Sequence, residues 1–244
     1  ECAAPFVAVN TIQGSTEKSP KTGETLTTRG IVISVLYADS KNPQLLLGSL
    51  SADQDATTAE ALLVIDSQQA KLRQAGDVVQ LTGTVREISG MTALTNISRA
   101  EYCGRQQVPA ATPVTLPVAT LQSFEALEGM LLSFAQPLIV NDSYGLARYG
   151  ELVLADKRLP VATEVVLPGD AARALSAQQR LHEITIDDAS LKQNPQPVRF
   201  PTGNLSANNT VRVGDTVNKL QGYLLHTKAG YRLVVSQQPE FVAT

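Results

Sequence analysis

Gly76-Asp77-Val78-Val79-Gln80-Leu81-Thr82-Gly83-Thr84-Val85 and Gly214-Asp215-Thr216-Val217-Asn218-Lys219-Leu220-Gln221-Gly222-Tyr223 are two copies of one phrase. In each, a Gly-Asp turn opens a β-rich run. A second glycine interrupts that run, Gly83 in one copy and Gly222 in the other, where it marks a bulge or a bend. Each run leads into another glycine turn and a further strand. Ser89-Gly90 precedes Met91-Thr92-Ala93-Leu94, and Ala229-Gly230 precedes Tyr231-Arg232-Leu233-Val234-Val235. Strand, kink, strand, tight turn, strand is the build of a small antiparallel barrel. Its recurrence along the chain predicts two such barrels in tandem.

Outward from the first copy, residues 25–36 are rich in β-branched side chains and read as a long strand bent at Gly30. Residues 44–47 and 61–65 are short apolar strands, with a polar loop at 51–59 between them. Residues 67–75 have helical spacing and lead into the first Gly-Asp turn. Residues 105–118 hold Pro109, Pro113 and Pro117 among small and polar residues, the composition of an extended linker. Beyond it, residues 123–127 read as a short helix capped by Ser123. Residues 130–134, 138–141, 151–154 and 183–186 read as strands, and 169–180 as a helix. Residues 142–150 form a polar-aromatic loop, and 191–209 are irregular. The expectation is a mainly β protein of two tandem Greek-key barrels of the oligonucleotide-binding (OB) type with short helices. They occupy residues 1–104 and 119–244, joined by the linker 105–118.

The 244 residues carry a net charge of -3, with 20 basic and 23 acidic side chains. That balance counts against a strongly basic nucleic-acid binder and leaves room only for local patches. Hydrophobic residues make up 43%, enough for packed cores, and with no Trp those cores rest on Val, Leu, Ile and Ala. No apolar run approaches the roughly 20 residues of a membrane span. The chain begins at Glu1 without an initiator Met or visible signal peptide, which reads as a mature or trimmed piece of a longer precursor.

Cys2 and Cys103 lie ahead of the first strand and just past the last strand of the first barrel. First and last strands are neighbours in a barrel, so a disulfide would close it and imply an oxidising compartment, secreted or periplasmic. Two buried thiols in a cytosolic protein, or a lipid-modified Cys2, are the alternatives.

The chemistry-bearing residues are sparse. His182 and His226 have no Cys, Asp or Glu at helical ligand spacing, and no zinc, phosphate-loop or nucleophile-elbow motif occurs. No catalytic residue is therefore assigned, and no cofactor to this chain. Asp187-Asp188 at a strand end is a candidate for a divalent cation, set against the commoner role of Asp in capping a turn. Asp53-x-Asp55 is a weaker candidate still. Tyr144, Arg148 and Tyr149 put two aromatics and a guanidinium in one loop, the combination that stacks bases and meets phosphate. Lys228, Tyr231 and Arg232 on the last hairpin form a second basic-aromatic patch.

These phrases together resemble the N-terminal, non-catalytic region of secreted bacterial endonucleases whose C-terminal half has the DNase-I-like endonuclease/exonuclease/phosphatase fold. The stretches are Thr11-Ile12-Gln13-Gly14 with Ser19-Pro20; Asp55-Ala56-Thr57-Thr58-Ala59-Glu60-Ala61-Leu62-Leu63-Val64; and the first Gly-Asp phrase with Glu87 and Thr92. They continue with Leu127-Glu128-Gly129-Met130; Tyr144-Gly145-Leu146-Ala147-Arg148-Tyr149-Gly150-Glu151-Leu152; Asp187-Asp188 with Gln193-Asn194-Pro195; and Leu205-Ser206-Ala207-Asn208-Asn209-Thr210 with Gly214-Asp215. The resemblance implies a C-terminal nuclease domain in cis, which would carry the divalent metal. This chain would then be an accessory region that positions DNA weakly or braces that domain. It departs from the pattern at Leu45-Leu46-Leu47-Gly48, which directs any DNA contact to the second barrel. The alternative is a structural or protein-interaction module without nucleic-acid affinity.

Overall fold

The computed structural model describes residues 2 and 5–244. Contacts divide it into two compact units that do not follow one cut along the chain. The first holds the residues up to Ala111 together with Phe124–Met130 and Leu224–Gly230. The second holds Thr112–Ser123, Leu131–Tyr223 and Tyr231–Thr244.

The first unit contains α1 (Val9–Gln13), β1 (Thr25–Leu36), β2 (Gln44–Gly48), β3 (Ala61–Val64), α2 (Ser67–Leu72), β4 (Asp77–Ile88) and β5 (Met91–Arg105). The strands close into a barrel in the order β1-β2-β3-β5-β4. Only β3 and β5 run parallel; the other pairs are antiparallel. That order is the OB barrel's. Alternation fills the interior: Leu45 and Leu47 of β2 and Leu62 and Val64 of β3 meet Val79, Leu81, Val85 and Leu94. α2 sits between the third and fourth strands, its start capped by Asp66, whose side chain accepts from the Gln69 N–H at 2.8 Å. Ala70 of α2 is in the core.

Cys2 is bonded to Cys103, with Cα atoms 5.5 Å apart and a sequence separation of 101. Cys103 lies within β5, not after it, because β5 continues to Arg105 alongside β4. Arg29 secures the same end. Its guanidinium donates to the Cys2 carbonyl and to Gln80 Oε1, and stacks 4.6 Å from the Phe6 ring centre.

The second unit runs through β6 (Thr112–Val114), β7 (Leu131–Phe134), β8 (Leu138–Asp142), α3 (Leu146–Tyr149), β9 (Glu151–Ala155), α4 (Ala162–Val165), α5 (Asp170–Gln179), β10 (Glu183–Asp187), β11 (Thr216–Asn218), β12 (Leu220–Thr227), β13 (Gly230–Val235) and β14 (Glu240–Val242). Its sheet order is β14-β11-β8-β9-β10-β13-β12-β7-β6. β7 and β8 are two pieces of one strand, and β11 and β12 two pieces of another, parted at Lys219, whose φ is +54°. β8 pairs with β11 and β7 with β12, so the first barrel's strand order recurs. As in the first barrel, the third and fifth strands, β10 and β13, are the parallel pair.

The repeated phrase is the start of the fourth strand in both barrels. Asp77 Oδ2 accepts the Gln74 N–H at 3.0 Å, and Asp215 Oδ2 accepts the Arg212 N–H at 2.7 Å. Gly76 and Gly214 both have positive φ, 91° and 108°. A Cβ on Gly83 would stand 2.7 Å from the Thr95 carbonyl, and one on Gly222 2.5 Å from that of Val234. Both interrupting glycines thus allow close backbone crossing.

Several local expectations give way to longer-range pairing. The linker contributes β6, which adds parallel to β7. Residues 121–127 form a 3₁₀ helix with Ser123 inside it, its hydroxyl 3.1 Å from that of Thr120, so Ser123 is not a cap. The polar-aromatic loop contains α3. The second barrel has no helix between its third and fourth strands; α4 and α5 lie between the second and third instead. Among the described residues no helix is long and apolar enough to cross a membrane.

Candidate nucleic-acid interface

OB barrels bind through the outer face of strands two and three and through the loops joining strands one to two and four to five. In the first barrel that face is closed by the chain itself. Leu46, Ala61 and Leu63 alternate with the core residues and point outward, yet all three are buried. The segment Phe124–Met130 lies over them. A Cβ on Gly129 would be 3.1 Å from Ala61 Cβ and 3.4 Å from Leu46 Cδ2, and the Glu60 N–H points at Met130 Sδ, 3.4 Å away. α1 adds Gln13, whose amide donates to the Ala61 carbonyl. The loop between strands four and five stays exposed at Ile88, Ser89 and Gly90 but carries one contact. His226 Nδ1 lies 3.1 Å from the Ser89 carbonyl, and its ring fills the space beside Gly90.

In the second barrel the loop between strands one and two is open. Leu146 of α3 is buried and anchors it, and Gly150 ends α3 in the left-handed conformation, φ 70°. Tyr144 stands 92% exposed, its N–H held by Asp142 Oδ1 at 2.7 Å. The exposed Arg148 lies over the ring of Tyr149 at 5.2 Å, and Tyr149 is 39% exposed. The Asn194 N–H donates to the Arg148 carbonyl at 2.8 Å. Of the sequence candidates, these three share one exposed loop, with the guanidinium of Arg148 over the Tyr149 ring.

Arg232 is placed differently. By register, Glu151, Val153, Thr185, Asp187 and Arg232 share the outer face of β9, β10 and β13. The Arg232 guanidinium bonds Glu151 and lies 3.3 Å from Asp187 Oδ2. Its charge is committed to two carboxylates, so this face is acidic on balance. Tyr231 is half-buried beside it. Lys228 is exposed in the β12–β13 turn, which belongs to the first unit.

Asp187 and Asp188 each cap a turn. Asp187 Oδ1 accepts the Ala189 N–H at 2.8 Å, and Asp188 Oδ1 the Ser190 N–H at 2.9 Å. Burial raises both; it lifts Asp187 to about 6, against the lowering pull of the Ala189 amide and Arg232. Asp53 Oδ1 likewise accepts the Asp55 N–H, and Asp55 Oδ1 the Thr57 N–H. Among the described residues no three His, Cys, Asp or Glu gather as a metal site.

One pair escaped the sequence reading. His182 Nδ1 meets Asp156 Oδ1 at 2.8 Å. Asp156 follows Ala155 and His182 precedes Glu183, and those two residues are paired across β9 and β10. A search at helical spacing cannot see a partner across two strand ends.

Comparison with curated proteins finds no match. Solved structures similar to the chain include fission yeast Pot1 with ssDNA, at 12% identity and TM-score 0.36, covering 96% of this chain and 88% of that one. A murine DNA-binding protein bound with double-stranded DNA is similar at 9% identity and TM-score 0.32, covering 91% and 100%. The p204 HINb domain gives 9% and 0.32, covering 91% and 98%. The OB assignment rests on strand order, not on these likenesses. Residues 104–244, more than half of the chain, match the family model described as a domain of unknown function, DUF8508, and the protein belongs to that family.

Proposed function

We propose that the chain is a non-catalytic, OB-like accessory region of an extracellular nuclease, which makes a weak DNA contact through the second barrel and braces a catalytic domain C-terminal to it. The observation that carries this reading is the exposed Tyr144, Arg148 and Tyr149 on the loop between strands one and two, a place where OB barrels bind. The Cys2–Cys103 disulfide fits a secreted or periplasmic protein. The divalent metal belongs to the catalytic domain. With a net charge of -3 and an acidic face beside the loop, affinity rests on a few contacts. A dissociation constant no tighter than about 10⁻⁶ M at physiological salt is expected.

Fluorescence anisotropy with labelled single-stranded DNA across a salt series tests it. Arg148→Ala is expected to weaken binding and lower the salt slope by about one, the signature of a lost phosphate contact. Tyr144→Ala is expected to weaken binding without changing the slope, as loss of a stacked base would. Unchanged binding in both variants would reject the placement.

The closed face of the first barrel and the acidic face of the second favour a second reading, a structural or protein-interaction module without nucleic-acid affinity. Absence of binding by the wild type at low salt would select it.

A further inference from the structure

The segment that covers the first barrel carries a buried acid that the nucleic-acid reading does not use. Glu128 is wholly buried. Its Oε1 accepts the Thr92 N–H at 2.9 Å and the Gln13 amide at 3.3 Å. Its Oε2 is buried with no hydrogen-bond partner. Glu87 on β4 is arranged alike. Its Oε1 takes the Ser19 N–H at 2.9 Å and the Thr92 and Thr22 hydroxyls at 3.1 and 3.3 Å, and its Oε2 is buried without a partner. Two carboxyl groups therefore converge on Thr92.

Among the described residues, the charges that act on Glu128 are acidic: Glu125, from its own segment, and Glu87, from β4. α1 presents the neutral Gln13, and β5 the neutral Thr92. Glu60, ahead of β3, is held by Asn10 and by the Asp53 N–H. His226 of β12 turns its Nδ1 to the Ser89 carbonyl. A buried carboxylate with so few donors is disfavoured; a neutral carboxyl is tolerated.

We infer that Glu128 is a proton-held latch: its neutral carboxyl fastens Phe124–Met130 across β2 and β3, and removal of that proton loosens the segment and bares Leu46, Ala61 and Leu63. Burial first, then Glu125, raise the carboxyl from 4.5 to about 8 in the fastened state, against the Thr92 and Gln13 hydrogen bonds. In the loosened state, in water, it returns to the ordinary value. The fastened state thus holds one more proton across that window. The opening equilibrium rises about tenfold per pH unit from about pH 5 to pH 8, then levels off.

Amide hydrogen exchange of the whole chain reads this directly. The Gly129 N–H donates to the Leu224 carbonyl at 2.7 Å, and the Leu224 N–H to that of Met130 at 3.1 Å. Corrected for intrinsic pH dependence, their protection is expected to fall about tenfold per pH unit between pH 5 and pH 8 in the wild type. In Glu128→Gln it is expected to stay level, while β4 amides keep their protection in both. Identical profiles in the two proteins, or a fall shared by β4, would overturn the latch. Carbon-13 titration of the Glu128 carboxyl in the wild type is independent of whether the variant folds. A midpoint above pH 7 is expected, and one near the ordinary glutamate value would overturn the proposal.

Discussion

Arg232 serves Glu151 and Asp187 at once, and all three side chains are mostly withdrawn from water, at 18, 24 and 8% exposure. Removing one partner of such a group leaves uncompensated buried charge, at a cost of about 3–5 kcal/mol. Arg232→Ala is accordingly expected to lose about that much in urea unfolding at neutral pH. A loss under about 0.5 kcal/mol, the range of ordinary surface changes, would show the cluster to be idle. Asp187 adds a pH dependence. Burial lifts its pKa from 3.8 to about 6, outweighing Arg232. The folded state then keeps a proton that the unfolded state has released. Its contribution is most favourable below about pH 4 and is lost as pH rises through about 6. Asp187→Asn is expected to flatten the change in urea midpoint across that window; an unaltered pH profile would contradict it. None of these partners was legible in the sequence. Arg232 and Glu151 are 81 residues apart, and charge pairs at that separation exist only once strands register. The Gly-Asp turns were legible because Asp77 and Asp215 satisfy amides three residues away.

Among the elements, the loop around α3 depends on Gly150. Its φ of +70° suits glycine, and a Cβ there would stand 2.2 Å from the Asp188 carboxyl carbon. Gly150→Ala therefore meets both backbone strain and a clash. Gly23→Ala, with φ +89° and nothing within 4 Å, meets strain alone, about 1–2 kcal/mol. Thermal unfolding should show the larger loss for Gly150→Ala; equal losses would mean that Asp188 moves aside freely. Strands were largely readable at this scale, since β-branched runs between glycine turns carry their own signal. The short α1, α3 and α4 were not. With four or five residues each they lack a full period, and tertiary contacts hold them in place. The covering segment was readable as a motif, Leu127-Glu128-Gly129-Met130, but not as a layer of the first barrel, because its register with β2 and β3 leaves no mark on local spacing.

Taken whole, the molecule is cross-linked only within its first unit. No free cysteine remains among the described residues, so thiol titration of the unreduced, unfolded protein is expected to find none. Reduction should cost about 4.7 kcal/mol by the chain-entropy estimate for a loop of this size. An unchanged denaturant midpoint after reduction would argue that the bridge constrains little. The purified chain is expected to leave supercoiled plasmid intact with Mg²⁺, Mn²⁺ or Ca²⁺; nicking abolished by His182→Ala would instead make the Asp156–His182 pair catalytic. The first unit's discontinuity also sets an order in time. A ribosome releases Cys103 before Phe124–Met130, and Leu224–Gly230 emerges far later than either. The nascent barrel can be bridged early, yet it must wait for Phe124–Met130 before Leu46, Ala61 and Leu63 are sheltered, and for Leu224 before that segment is bonded in place. During that interval it is an apolar surface for a holding chaperone, and a gene truncated at the end of β5 would leave it in that half-clad state permanently.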